Sequence, residues 1–303
     1  MRKADSTAVR TARRLCAARV AAAARALGGS ASDAAVHLAR RELKRARALL
    51  RLVRSGFPAE AYAATDAALR DVGRTLGTAR DAAVMAELVR ETAATAGVPP
   101  GELRALLARL ERERRAGAAG IDKRAARAQL KVARARLLAA RLEGDGAMLA
   151  VGFVRIYRRG RRAFAAARAV PRTTRLHDWR KHVKRYWHAL EALEPAWPRL
   201  MTALAGEAHR LADVLGAHHD CTLLAAQLEE APLRRVHRRR LLAALARRRA
   251  QLRARAFAIG ARLYEERPRR LAPRAAQWWQ HWIDAAPADM LKAAAAPARR
   301  RRR

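Results

Sequence analysis

Apolar positions recur at helical spacing along almost the whole chain. Between residues 36 and 53, Val36, Ala39, Leu43, Ala46, Leu50 and Val53 share one side of a helix, and the charged residues take the other. Alanine, leucine and arginine dominate, β-branched residues are rare, and no alternating strand pattern appears. Breakers divide this helical material. A first helix over about 5–27 stops at Gly28-Gly29, and a second, capped by Ser30 or Ser32, runs over about 33–54 to Gly56 and Pro58. One long helical stretch is expected from there to about Ala96, where Gly97-Val98-Pro99-Pro100 interrupts it. Helices at about 101–116 and 121–143 follow, and Gly144-Asp145-Gly146 is the natural hinge. Beyond it, helices are expected at about 147–169, from Thr173 or Thr174 to about 193, at 199–230 and at 234–266.

The second set restarts the first. Val36-His37-Leu38-Ala39-Arg40-Arg41-Glu42-Leu43-Lys44-Arg45 returns 140 residues later as Leu176-His177-Asp178-Trp179-Arg180-Lys181-His182-Val183-Lys184-Arg185. Leu76-Gly77-Thr78-Ala79-Arg80-Asp81 returns at an offset of 139 as Leu215-Gly216-Ala217-His218-His219-Asp220. An internal duplication sets the expected architecture: all-α, with two pseudo-symmetric, duplicated four-helix bundles at 1–145 and 146–266. Residues 267–303 have no counterpart. They hold Trp278, Trp279 and Trp282 and end in five arginines, which reads as a packing helix with a solvated tail or as a surface contact.

Both repeats of the first motif are amphipathic helices with a basic stripe. His37, Arg40, Arg41, Lys44 and Arg51 cluster on the polar side, flanked by Arg45 and Arg47. His177, Arg180, Lys181, Lys184 and His188 cluster in the same way, backed by Trp179, Val183, Tyr186, Leu190 and Leu193. Glu42 and Asp178 are expected to point away from the stripe. From His37 to Arg51 the stripe extends about 21 Å at about 1.5 Å per residue, a length that suits an extended anion.

Charge strengthens that picture. The chain has 65 Lys and Arg against 27 Asp and Glu, a net charge of +38, and 58 of those cations are arginine. Self-repulsion of this size calls for condensed anions, and the arginine fork donates two parallel hydrogen bonds to phosphate. Nucleic acid, inorganic polyphosphate and an anionic membrane surface are the candidate partners. Cys16 and Cys221 cannot form a disulfide framework and read as buried hydrophobes in a reducing, cytoplasmic setting. No uncharged run approaches a membrane span, and arginines interrupt any leader-like start.

In the second motif, Asp81 and Asp220 are expected to pin neighbouring cations, with Arg80 and His219 as further phosphate contacts. His218-His219-Asp220 also raises the prospect of a metal-dependent phosphohydrolase, but the duplicate reads Arg80-Asp81 and arginine does not ligate metal. No phosphate-binding glycine loop, nucleophile elbow or paired-carboxylate motif appears, so no catalytic residue, metal or cofactor is assigned.

The pattern His-x-x-Arg-Arg/Lys-x-x-Lys-Arg, followed by Leu-Gly-x-x-x-Asp and duplicated, resembles the conserved histidine α-helical domain, CHAD. The resemblance covers about 5–266. It implies two pseudo-symmetric four-helix bundles, a basic surface or central pore for inorganic polyphosphate, and an association with polyphosphate granules. Carried over by position, the binding residues are His37, Arg40, Arg41, Lys44, Arg45 and Arg47, and His177, Arg180, Lys181, Lys184 and Arg185. Trp187 departs from the pattern, since it stands where Arg47 predicts a cation. Nothing resembles the triphosphate tunnel domain that often accompanies the family, so a non-enzymatic polyphosphate binder is expected. A nucleic-acid binder is the alternative. The aromatics of the stripe helices are expected to face the core, leaving that alternative no stacking platform.

Overall fold

The computed structural model describes residues 7–29, 33–76, 78–120, 122–144 and 147–285, apart from the side chains of 7–9, 33, 78–81, 117–119, 195 and 283–285. The described residues form eleven α-helices and three short 3-10 helices, with no strand among them. The α-helices are α1 (Thr7–Ala26), α2 (Asp33–Leu52), α3 (Ala59–Thr75), α4 (Thr78–Ala96), α5 (Arg104–Ala119), α6 (Lys123–Ala139), α7 (Ala147–Ala169), α8 (Thr173–Ala192), α9 (Pro198–Glu230), α10 (Arg235–Leu263) and α11 (Pro268–Ala285). No helix among the described residues is long and apolar enough to cross a membrane.

The helix expected to run unbroken to Ala96 is two helices. The α3 helix ends at Thr75, and Leu76 donates its N–H back to the Val72 carbonyl. Its counterpart α9 passes through Leu215-Gly216 without a break and is 33 residues long. A glycine disfavours helix by about 1 kcal/mol, so tertiary packing decides between the two outcomes. In α9, Gly216 has a specific neighbour: a Cβ there would lie 3.3 Å from Nη2 of Arg180 on α8.

The basic helices sit at the middle of the molecule. The α2 helix packs on α1, α3 and α7 and directly against α8, while α8 packs on α7 and α9. Leu43, Leu50, Trp179 and Val183 on their inner faces are at most 2 % exposed, so the amphipathic pattern reads correctly onto the core. Close approach of α7 to the end of α2 depends on Gly152, whose missing side chain leaves room for the Leu52 carbonyl.

Apolar packing crosses residue 145. One cluster joins α1, α2, α3, α6, α7, α8 and α11 with the first half of α9 and the end of α10. A second joins Met85, Leu88, Val89, Leu106 and Leu110 of the α4–α5 hairpin to Leu224, Leu228, Leu241 and Leu245 of α9 and α10. The hairpin thus docks on the part of α9 and α10 that outreaches the main core. This brings α4 towards the space in front of α2 and α8.

Helix α11 packs on α7 and on the turn at Glu194–Ala196, burying Trp279 and Trp282. Trp278 meets Trp197 edge-on at 5.8 Å and lies under the Arg274 guanidinium. The arginine-rich end of the chain lies outside the described residues. Both cysteines are buried, and burial pushes the Cys16 thiol up to about 12.

Candidate functional site

The inner helices α2 and α8, joined by α9 and the start of α4, enclose one cleft of about 1030 Å³. From α2 come His37, Arg40, Arg41, Lys44 and Arg45, and from α8 come Arg180, Lys184, Trp187 and His188. His219 and Asp220 reach it from α9, and Val84 and Met85 from α4. Two motifs 140 residues apart in sequence therefore face one space. His177 lies beside it, its ring 4.4 Å from that of His219.

The other basic residues distribute differently. Arg47 makes a bidentate pair with Asp66 of α3 at 2.8 and 2.9 Å, and Arg51 reaches the same carboxylate at 3.4 Å. Burial and the charge of Arg47 push Arg51 down to about 10. Arg185 is also lowered, by burial and then by Arg47 and Arg159, which gathers a second cationic group around Asp66. Lys181 is exposed and pairs with Asp178 at 3.2 Å. The side chains of Arg80 and Asp81 lie outside the described residues.

Glu42 and Asp178 do not point away from the stripe. Glu42 is only 4 % exposed and meets Arg19 at 3.2 Å, Arg45 at 3.4 Å and Arg41 at 3.8 Å. Arg45 also meets Glu191 of α8 at 3.2 Å, and Glu191 accepts from Nδ1 of His188 at 2.9 Å. Burial opposes ionisation of Glu191, but His188 and Arg45 outweigh it and hold the carboxyl at about 2. A charged strap therefore ties α2 to α8 at the base of the cleft. Sequence reasoning missed Asp66 and Glu191 because neither recurs. Counted at the offsets of their own motifs, 139 and 140 residues, their equivalents are Ala205 and Arg51.

Several buried polar atoms around the cleft have no hydrogen-bond partner within the protein. They are Nε of Arg180, Nδ1 of His177, Nε2 of His188 and Nδ1 of His219. Buried polar groups are normally paired, so four such atoms spread along the cleft suit an external ligand. Burial lowers His177, His188 and His219 below the usual histidine range. Neighbouring cations reinforce this: Lys181 and Arg180 beside His177 and His219, and Lys44 and Lys184 beside His188.

The adjacent histidines of α9 diverge. His219 faces His177 on α8, whereas His218 is buried near Arg249 and Arg253 of α10, which together with burial push it down to about 4. No group of three or more potential metal ligands occurs among the described residues.

The CHAD domain family model matches residues 11–229, which is most of the chain. The chain belongs to the CHAD domain family. Solved structures with the same fold include PptA from Streptomyces chartreusis, 17 % identical, with a TM-score of 0.63 over 85 % of this chain and 99 % of that one. The CHAD domain from the plant Ricinus communis is 19 % identical, with a TM-score of 0.57 over 88 % and 94 %. No curated protein matches the sequence. This CHAD chain keeps the duplicated basic motif at both positions and brings both copies to one cleft.

Proposed function

We propose that this protein binds inorganic polyphosphate without acting on it, through the shared cleft of α2 and α8 and the cationic group around Asp66. The observation that supports this most strongly is the convergence of two position-matched basic helices on one cleft lined by buried nitrogens without a partner in the protein. His37, Arg40, Arg41, Lys44, Arg45, Arg180, Lys184, His188 and His219 would line the path of the polymer, with His177 and Lys181 beside it. Arg47, Arg51 and Arg185 would extend that path around Asp66. Arginine forks and ammonium groups hold non-bridging phosphoryl oxygens, and an elongated cationic track suits a linear polyanion. The same reading puts the protein in the cytoplasm at polyphosphate granules.

Competition decides between this reading and a general nucleic-acid surface. Long-chain polyphosphate bound at physiological salt should resist displacement by duplex DNA at equal phosphate concentration. Displacement by the DNA would overturn the preference. A hydrolytic role is less well supported, since His218 and His219 face different helices.

Gly216 offers a local test. Replacing it with leucine pushes a side chain into the Arg180 guanidinium, which cannot then keep its place in the cleft. Loss of one charge-assisted contact, about 1.5 kcal/mol, should weaken polyphosphate binding about tenfold. The helix itself should not suffer, because leucine is a better helix former than glycine. Unchanged affinity in Gly216→Leu would show that Arg180 takes no part.

The histidines predict the sign of the pH dependence. His177 faces His219, Arg180 and Lys181, with Asp178 opposing them, and burial depresses both rings in the free protein. A bound polyanion raises them, so binding takes up protons and affinity grows as pH falls from 8 towards 6. A ring that holds its proton about tenfold more tightly in the complex contributes up to about tenfold to affinity across that range. Titration calorimetry in buffers of different ionisation enthalpy should detect the proton uptake, and His177→Gln with His219→Gln should flatten the profile.

A further inference from the structure

The cleft has a second character on its α8–α9 wall. The Trp187 indole lies 3.9 Å from the His209 ring at 17° and 4.3 Å from the His188 ring at 28°. All three residues line the cleft. The column runs from His188, at 6 % exposure, to His209, whose side chain is 49 % exposed and held by Asp213 at 3.4 Å. This corrects the expectation that every aromatic of the stripe helices faces the core.

The duplication shows what this wall replaces. At the 140-residue offset of the basic helices Trp187 matches Arg47, and at the 139-residue offset of the Leu-Gly motif Ala205 matches Asp66. In the first repeat those positions form the bidentate ion pair. In the second they are an indole and an alanine, and at the position after that alanine a Cβ built on Gly206 meets nothing within 4 Å. A glycine inside a helix is unfavourable by about 1 kcal/mol relative to alanine, and packing does not require this one. Gly206 leaves space one helical turn from His209, on the stripe of α9 that also carries Thr202 and Asp213 into the cleft.

The charges at the Trp187–His209 end of this wall do not suit phosphate. Asp213 and Glu194 line it, whereas the cations stand on α2 and at Arg180 and Lys184. Lys44 and Lys184 lie close enough to His188 to depress its protonation, so the phosphate-holding side begins where the ring column ends. The unpartnered Nε2 of buried His188 stands at that junction.

We propose that the cleft accepts a nucleoside triphosphate, with the base stacked on the His209–Trp187 column in the space beside Gly206 and the phosphates on the α2 cations and Arg180. Aromatic rings accept any base through its π-face, and the Thr202 hydroxyl and Asp213 carboxylate offer hydrogen-bonding groups to the base edge. The phosphate contacts rest on the proposed function, whereas the base contacts rest on residues outside it.

The test compares ATP and GTP with ribose 5′-triphosphate, which carries the same phosphates and sugar without a base. Calorimetry on the full chain at fixed salt should show ATP or GTP binding about tenfold more tightly, as one stacked base implies. His209→Ala and Gly206→Leu should each abolish that difference while leaving ribose 5′-triphosphate and long-chain polyphosphate affinities unchanged. Both positions are exposed, so the variants should fold, and the polyphosphate measurement reports whether they do. The subsite is refuted if neither nucleotide exceeds ribose 5′-triphosphate, or if the difference survives both substitutions. A gain seen only with single-stranded oligonucleotides would also refute it and point to a nucleic-acid surface. Loss of binding to every phosphate ligand in unmodified protein would instead remove the polyphosphate reading.

Discussion

Arg40→Ala, Lys44→Ala, Arg180→Ala and Lys184→Ala, combined in one chain, should weaken binding of long-chain polyphosphate about a thousandfold at physiological salt. Four cations facing one cleft, at about 1 kcal/mol each, give about 4 kcal/mol, or about three orders of magnitude in affinity. The salt dependence supplies an independent number. By the counterion logic for single-stranded polyanions, each phosphate contact contributes about 0.7 to the slope of log K against log salt, so the slope should fall by about 3. All four residues are half-buried at most, and none belongs to the apolar core, so the fold should persist. A control set removes four exposed arginines away from the cleft, Arg104, Arg134, Arg239 and Arg255, leaving the same net charge. If that set weakens binding equally, the protein acts as a diffuse cation and the cleft has no special role.

What could be read in the sequence follows a physical line. Helices declare themselves through spacing, and α7, α8 and α9 begin and end within about two residues of where apolar periodicity and the Pro and Gly breakers put them. The basic stripes were legible because they occur twice, and repetition separates a functional pattern from an ordinary charged helix face. The acids that hold the stripe were not legible for the same reason. Glu191 stands where the first repeat has Arg51, and Asp66 where the second has Ala205, so a search for shared features passes over both. The ring column is likewise a difference between repeats. Trp187 showed as an irregularity, but its partner His209 matches Arg70, and only the crossing of α8 with α9 brings the two rings together. The docking of the α4–α5 hairpin on α9 and α10 was also hidden, because apolar periodicity records which face is buried and not against what.

Glu191→Gln tests whether the strap between α2 and α8 holds the cleft walls together. Glu191 is mostly buried and receives Arg45 from one helix and His188 from its own. Neutralising it leaves the Arg45 guanidinium with Glu42 as its remaining ion pair, and breaking a buried pair from one side is typically destabilising by about 3 kcal/mol or more. In a chain of this length that is a fall of about 5 °C in melting temperature. The pH dependence follows from the carboxyl being held at about 2, below its unfolded value near 4.5. Its contribution is complete above about pH 4.5 and is lost as pH falls towards 2, so the stability gap between the natural chain and the variant should narrow over that interval. A gap equally wide at pH 3 and pH 7 would mean that the glutamate acts through shape rather than charge. Because Arg45 also lines the cleft, releasing it should loosen the α2 wall, and polyphosphate affinity should fall even though the substitution removes a negative charge. Simple electrostatics predicts the reverse, a gain in affinity for any polyanion, so the sign of that one change separates a site built by the fold from a surface that is merely positive.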